Sequence, residues 1–515
     1  MSTSKITTSH NTSNGKRKKD LFQAFYTNSA PIVNYMVDCL ALAKDSKILE
    51  PCAGEGVFIE EIFKRLPDAC IDAFELNQNA VEHLKKKFCN YSNITISATD
   101  TLLDESLDLF ANLGGIYDRI IANPPYGAWQ DYEKRKLLKH RFNGLYVKET
   151  YTLFLHKCLM LLKEEGILTF IIPDTFLSLH LHKAIRNEIL TQTKIHEIAL
   201  FPSSFFPGVN FGYSNLCIIT LEKCSNVDKC LDNSFSVISD FESVSDLSSK
   251  HINKNTYNQK SIYQSVDHAF MIKNDTKVVC EVLNEAKLRV GDIADCVTGF
   301  YSGNDKLFLR ALHTDIHKNS RNYSEINIEE VYIPSGEQQD LLDGLAGKKH
   351  FVPIVKGGSV KFYKPDIWFM DWSKEAVKHY KNDSKARFQN SSYYFKSGIG
   401  VPMVSSRQIS ASLIENQLFD QSIVGIFPKN TEFTFYLLAL FNSTTYNTFV
   451  RAINPSANNS ANYLKKVPFI IPNNDILDKI NIITNDIITK KKKGDANTLT
   501  NENELNTIIN GIYNI

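Results

Sequence analysis

Between Lys47 and Asn123 the chain repeats one pattern four times: a short apolar run, then a polar residue, then a turn. The runs are Lys47-Ile48-Leu49-Glu50, Cys70-Ile71-Asp72-Ala73-Phe74-Glu75, Ile94-Thr95-Ile96-Ser97-Ala98-Thr99-Asp100, and Tyr117-Asp118-Arg119-Ile120-Ile121-Ala122, which delivers Asn123. Helical patterns separate them, the first from Phe58 to Arg65. Strands that alternate with helices predict an α/β fold, a doubly wound and mostly parallel sheet of Rossmann-like type. In such sheets ligands bind outside the carboxyl ends of the strands. Any one of these acids is explained as an ordinary surface carboxylate; a series of strand ends, each closing on a ligand-type residue, is not.

Asn123-Pro124-Pro125-Tyr126 is the most chemically specific of these ends. Proline has a fixed φ and no N–H, so it keeps the segment out of a helix. The Asn123 side-chain carbonyl and the Pro124 backbone carbonyl can then both accept from one amine, while Tyr126 offers a ring face. Two acceptors and a ring suit an exocyclic amine on a flat heterocycle. Its lone pair is delocalised into the ring, and two accepted hydrogen bonds favour the pyramidal geometry that it needs to react. That stabilisation is aimed at a transition state.

Glu50-Pro51-Cys52-Ala53-Gly54-Glu55-Gly56 places a Gly-x-Gly turn directly after the first strand. Glycine lets a backbone approach a ligand closely; the third glycine of the dinucleotide fingerprint is absent. An acid at the end of the second strand of a βαβ unit, here Glu75, is placed to hold ribose hydroxyls. Asp100 can accept from an adenine amine.

With these residues together, the chain resembles the S-adenosylmethionine-dependent DNA adenine-N6 methyltransferases of restriction–modification systems, in the gamma (TaqI-like) arrangement. There cofactor motifs come first, the catalytic motif next, and a target-recognition domain last. The resemblance covers about Phe22 to Leu221. It implies that Tyr26 and Thr27, Glu50, Pro51, Ala53, Gly54 and Gly56, Glu75, Asp100 and Asn123 contact S-adenosylmethionine. Tyr26-Thr27 departs from the family's Tyr-Thr-Pro, its proline being displaced to Pro31. Asn123, Pro124, Pro125 and Tyr126 correspond to the catalytic motif. An aromatic that packs on the flipped base opposite Tyr126 is matched best by Phe206, with Phe211 and Tyr213 as alternatives. No metal and no covalent enzyme intermediate are implied.

At 515 residues, two sizeable domains are expected. Residues 1–20, ending in Lys16-Arg17-Lys18-Lys19, read as a disordered basic tail. Residues 21–222 read as the cofactor-binding catalytic domain, 223–260 as a linker or peripheral extension, and 261–515 as a mixed α+β DNA target-recognition domain. Tyr132 to Phe142 reads either as a mobile segment over the site or as a plain surface helix. Tyr151 to Leu162 is an apolar helix stopped by Lys163-Glu164-Glu165-Gly166. In the second half, Asn304, Lys306, Arg407, Gln408, Lys465 and Lys466 are candidate DNA contacts by residue type.

The net charge of +1, from 58 basic and 57 acidic side chains, excludes a uniformly basic coat but not a basic cleft. Ten cysteines without zinc spacing suit a reducing cytoplasm. No apolar run reaches membrane length. The expected partner is double-stranded DNA, with room for a separate cognate restriction endonuclease acting on the same site, and the chain is expected to be a monomer. The same Asn-Pro-Pro-Tyr device also serves methylation of RNA guanine or of protein glutamine amides. A DNA-specificity subunit with a relict cofactor fold is the non-enzyme alternative.

Overall fold

The computed structural model describes residues 29–127, 132–202, 205, 215–239, 241–248, 254–272, 277–313, 323–335, 339–405, 408–454 and 457–515. These fall into two compact units: residues up to Phe176 with Ala184–Lys260, and Leu177–Lys183 with Ser261–Ile515.

The first unit is built on a nine-stranded sheet. Its strands are β1 (Lys47–Glu50), β2 (Cys70–Glu75), β3 (Ile94–Ala98), β4 (Tyr117–Ala122), β5 (Leu162–Pro173), β6 (Thr193–Phe201), β7 (Leu216–Lys223), β8 (Ser234–Ile238) and β9 (Lys254–Asn258). Their order across the sheet is β3-β2-β1-β4-β5-β7-β6-β8-β9. β3, β2, β1, β4 and β5 run parallel, and β7 is antiparallel to both β5 and β6. The order reverses between β1 and β4, and that switch point is where a doubly wound sheet opens a ligand crevice. This is a doubly wound, mostly parallel sheet, as the strand–helix alternation predicts.

The helices follow from the sequence pattern. They are α1 (Ala30–Cys39), α2 (Val57–Arg65), α3 (Gln78–Lys87), α4 (Glu105–Asn112), α5 (Tyr132–Arg141), α6 (Thr150–Leu161) and α7 (Lys183–Gln192). Pro31, displaced from the family motif, sits in the first turn of α1, where a missing N–H costs nothing. Segment 132–142, open to two readings in the sequence, is the helix α5. The stop of α6 comes one residue early: Leu162 is already extended and pairs with Tyr117, and pairing with β4 resumes at Ile167, so Lys163 to Gly166 form an irregularity within β5, with Glu165 at a φ of 62°.

Residues 223–260 contribute β8, parallel to β6, and β9, antiparallel to β8. Gln259, fully buried, donates to the carbonyls of Leu190 (2.9 Å) and Thr193 (2.7 Å) and accepts from the Ile195 N–H (3.1 Å). This segment is therefore stitched into the core of the first unit.

The second unit is α+β. A four-stranded antiparallel sheet runs in the order Ala294–Thr298, Ile423–Pro428, Gly398–Pro402, Ser412–Ile414. A five-stranded mixed sheet contains Phe351–Val355 and Trp368–Asp371. Helices Thr434–Asn442, Thr444–Ile453, Asn474–Lys492 and Leu499–Tyr513 supply much of the apolar core around the first of these sheets.

Candidate active site

Four neighbouring strands bring four polar residues to one edge. Glu50 ends β1, Glu75 ends β2, Asp100 follows β3, and Asn123 follows β4. Of these, Glu75 holds the Gly-x-Gly turn, with its neighbours Phe74 and Thr101. Glu75 Oε2 accepts from the Gly54 N–H and Oε1 from the Asn77 N–H, both at 2.8 Å. The Ala53 N–H donates to the Phe74 carbonyl at 2.9 Å, and Thr101 Oγ1 to the Pro51 carbonyl at 2.5 Å. Gly54 and Gly56 have φ of 52° and 76°. A Cβ on Gly56 would lie 2.7 Å from Leu84 Cδ2. Both conformation and space thus require glycine there.

Glu50 is 2% exposed, and among the described residues its Oε2 has no hydrogen-bond partner. Burial, reinforced by the charge of Glu75, holds its carboxyl well above the usual carboxylate range. An unsatisfied buried acceptor at a strand end asks for a donor from a ligand. With the glycine turn beside it, the donor set fits a nucleoside-bearing cofactor with hydroxyl and amine groups. The neighbouring Cys52 thiol is likewise pushed well up, by burial and then by Glu50 and Glu75.

Asp100 is already engaged. Its Oδ2 accepts from Lys134 Nζ of α5 at 2.6 Å and its Oδ1 from the Leu102 N–H at 3.1 Å. A ligand amine would share this carboxylate with Lys134, a residue that sequence reasoning did not single out.

At the catalytic motif, Ile120, Ile121 and Ala122 are fully buried, which fixes the end of β4. Asn123 Oδ1 is buried. Thr150 Oγ1, in the first turn of α6, donates to the Pro125 carbonyl at 2.6 Å and ties the loop to the helix. The only signal for Thr150 in the sequence is a hydroxyl at a helix start. Tyr126 is 4% exposed, and burial pushes its phenol well up.

Tyr26, Thr27, Phe206, Phe211, Tyr213 and Arg407 lie outside the described residues. In the second unit, Asn304, Lys306, Gln408 and Lys465 are exposed. Lys466 is ion-paired with Asp267, and its ammonium lies 3.0 Å from His180 Nδ1, with the side chain 19% exposed. Among the described residues no group of three or more His, Cys, Asp or Glu side chains could hold a metal, and no helix is long and apolar enough to cross a membrane.

Comparison with known proteins agrees with this geometry. Residues 41–206, which carry all four strand ends, match the Eco57I restriction-modification methylase family. The type II methyltransferase M.AccI of Acinetobacter calcoaceticus is 25% identical over 332 residues, covering 62% of this chain and 56% of its own. Modification methylase CviBIII of Paramecium bursaria Chlorella virus NC1A is 38% identical over 147 residues, 28% of this chain and 35% of its own. The chain thus spans little more than half the length of the first curated relatives that it matches. Among solved structures, the ATP-dependent Type ISP restriction-modification enzyme LlaBIII bound to DNA has a TM-score of 0.54 at 13% identity, over 92% of this chain and 40% of that chain, a likeness of fold. The resemblance to restriction–modification methyltransferases drawn from the sequence is upheld.

Proposed function

We propose that the chain transfers a methyl group from S-adenosylmethionine to the exocyclic N6 of adenine in double-stranded DNA, as the modification enzyme of a restriction–modification system. The observation that carries this reading is the row of Glu50, Glu75, Asp100 and Asn123 on four adjacent strand ends, with Asn123 opening an Asn-Pro-Pro-Tyr loop. When bound, S-adenosylmethionine supplies an activated methyl group on a cationic sulfur. Glu75 and Asp100 address its ribose and adenine, and Glu50 and the backbone from Pro51 to Gly56 line the turn against it. The Asn123 side-chain carbonyl and the Pro124 carbonyl receive the two hydrogens of the target amine, which turns its lone pair toward the methyl group.

A stacked adenine cannot present its amine to this loop, so the base is flipped out of the duplex. Tyr126 and Phe206 are assigned as the rings that hold it. The second unit is assigned to target recognition, with Asn304, Lys306, Arg407, Gln408, Lys465 and Lys466 as its contacts.

The test is transfer of a labelled methyl group from S-adenosylmethionine to duplex DNA, to RNA and to protein in parallel, followed by nucleoside analysis. N6-methyladenine from the DNA arm alone is expected. Label in RNA guanine or protein glutamine would replace this reading, and cofactor binding without transfer to any substrate would favour a relict fold.

A further inference from the structure

Helix α5 carries six basic side chains and one acid in ten residues, in a chain whose net charge is only +1. They divide onto two faces. Lys134, Leu138 and Arg141, spaced four and three apart, share one face. Lys134 reaches Asp100, Leu138 is fully buried, and Arg141 donates to the carbonyls of Leu103 (3.0 Å) and Asp104 (3.2 Å) and pairs with Asp108. This face docks on segment 100–108, at the carboxyl end of β3, so α5 lies along the edge that carries the strand-end row.

The remaining cations point away. Arg135, Lys136, Lys139 and His140 are exposed. Among the described residues, neither Lys136 nor Lys139 has an acidic partner within ion-pair distance, whereas the docked face is matched by Asp100 and Asp108. A basic face is often no more than a solvated surface. Two observations set this one apart: its docked side is pinned beside the cofactor acid, and it starts six residues after Tyr126. Six residues of chain reach at most about 20 Å, which is about six base steps of a duplex at roughly 3.4 Å per step.

We propose that the exposed face of α5, through Arg135, Lys136 and Lys139, binds backbone phosphates of the DNA next to the extruded base. The proposal rests on the reading of the chain as a DNA methyltransferase and extends it to a phosphate-binding surface inside the first unit. Such contacts position the duplex without reading its sequence. They hold the strand while the target nucleotide leaves the stack.

The experiment uses the full chain with Arg135, Lys136 and Lys139 all replaced by Gln. Its affinity for a mixed-sequence duplex and for a duplex that the wild type methylates is measured across a salt series. Affinity for both duplexes should fall by a similar factor, and the slope of log affinity against log salt should become shallower by about 0.9 for each phosphate that is no longer neutralised. Cofactor affinity should stay within about twofold. Replacing Lys85 and Lys86, exposed on α3, by Gln should leave the slope unchanged. If the triple variant also loses cofactor binding, Lys136→Gln and Lys139→Gln singly should each cost up to one unit of slope. An unchanged slope in the triple variant, when the wild type methylates DNA, overturns the α5 proposal alone. A wild type that neither binds nor methylates DNA overturns the function as well.

Discussion

Glu50 and Asn123 have two other strand ends between them in sequence yet close adjacent strands of the sheet, and their chemistry leads in different directions. Asn123 is assigned to the transition state, so Asn123→Ala should lower turnover by about 100-fold or more and leave DNA and cofactor dissociation constants within several-fold. Single-turnover methylation with binding titrations checks this, and residual turnover above about a tenth of wild type would sink the role. Glu50 concerns the cofactor-free state. Its native carboxyl lies above the ordinary value of 4.5. Below about that pH it is protonated in both folded and unfolded chains, and no stability is lost. As pH rises, the unfolded chain ionises while the buried group resists, so the wild type loses stability progressively. Glu50→Gln should therefore raise the melting temperature of the cofactor-free protein, with a gap that widens as pH rises above the ordinary carboxyl value of 4.5. The same change should weaken cofactor binding, since it replaces one of the two carboxyl oxygens that can accept from a ligand with an amide NH2. A gap that does not vary with pH would show that the buried charge is not the cause.

Helices position the site as much as strands do. The Asn-Pro-Pro-Tyr loop is anchored through Thr150 at the start of α6, and the acid after β3 is clasped by α5. Thr150→Val keeps the shape of the side chain and removes the donor to Pro125. It should cost about 1 kcal/mol of stability and lower kcat by several-fold with KM for cofactor unchanged, as expected of a positioning residue. Equilibrium denaturation and steady-state kinetics measure the two effects. A loss confined to stability would reduce Thr150 to a structural role. Neither anchor was legible in the sequence. Each joins residues 25 or 34 positions apart whose meeting depends on where a helix lands on the sheet. The end of α6 carries the same lesson: Lys163 to Gly166 reads as a helix stop, yet pairing with β4 starts β5 already at Leu162.

Across the whole molecule, the first compact unit runs on to Lys260, so residues 223–260, expected as a linker or peripheral extension, group with it. Gln259 explains why. A fragment ending at Glu222 leaves the carbonyls of Leu190 and Thr193 without their buried donor and exposes the edge of β6. A fragment ending at Lys260 should bind S-adenosylmethionine and show a cooperative melt. The shorter one should melt several degrees lower or aggregate, as calorimetry or circular dichroism would record. Both should lose sequence-specific DNA binding, measured against a scrambled duplex. Equal stability of the two fragments would remove Gln259 from the core argument. Specific binding by either would overturn the assignment of target recognition to the second unit.

The local sequence determined the doubly wound sheet and the four strand-end residues, because each depends on the order of apolar runs and on what directly follows them. Chain order alone places Glu50, Glu75, Asp100 and Asn123 on one edge, since parallel strands joined by right-handed crossovers all end on the same side. Tertiary structure alone decided the rest. Burial beside Glu75 left Glu50 with an unsatisfied acceptor and a weakened acidity. Asp100 met Lys134, Pro125 met Thr150, and Lys466 met Asp267. Those outcomes depend on distances between residues far apart in sequence, and on how much water packing leaves around each charge. Neither quantity is written in any short stretch of the chain.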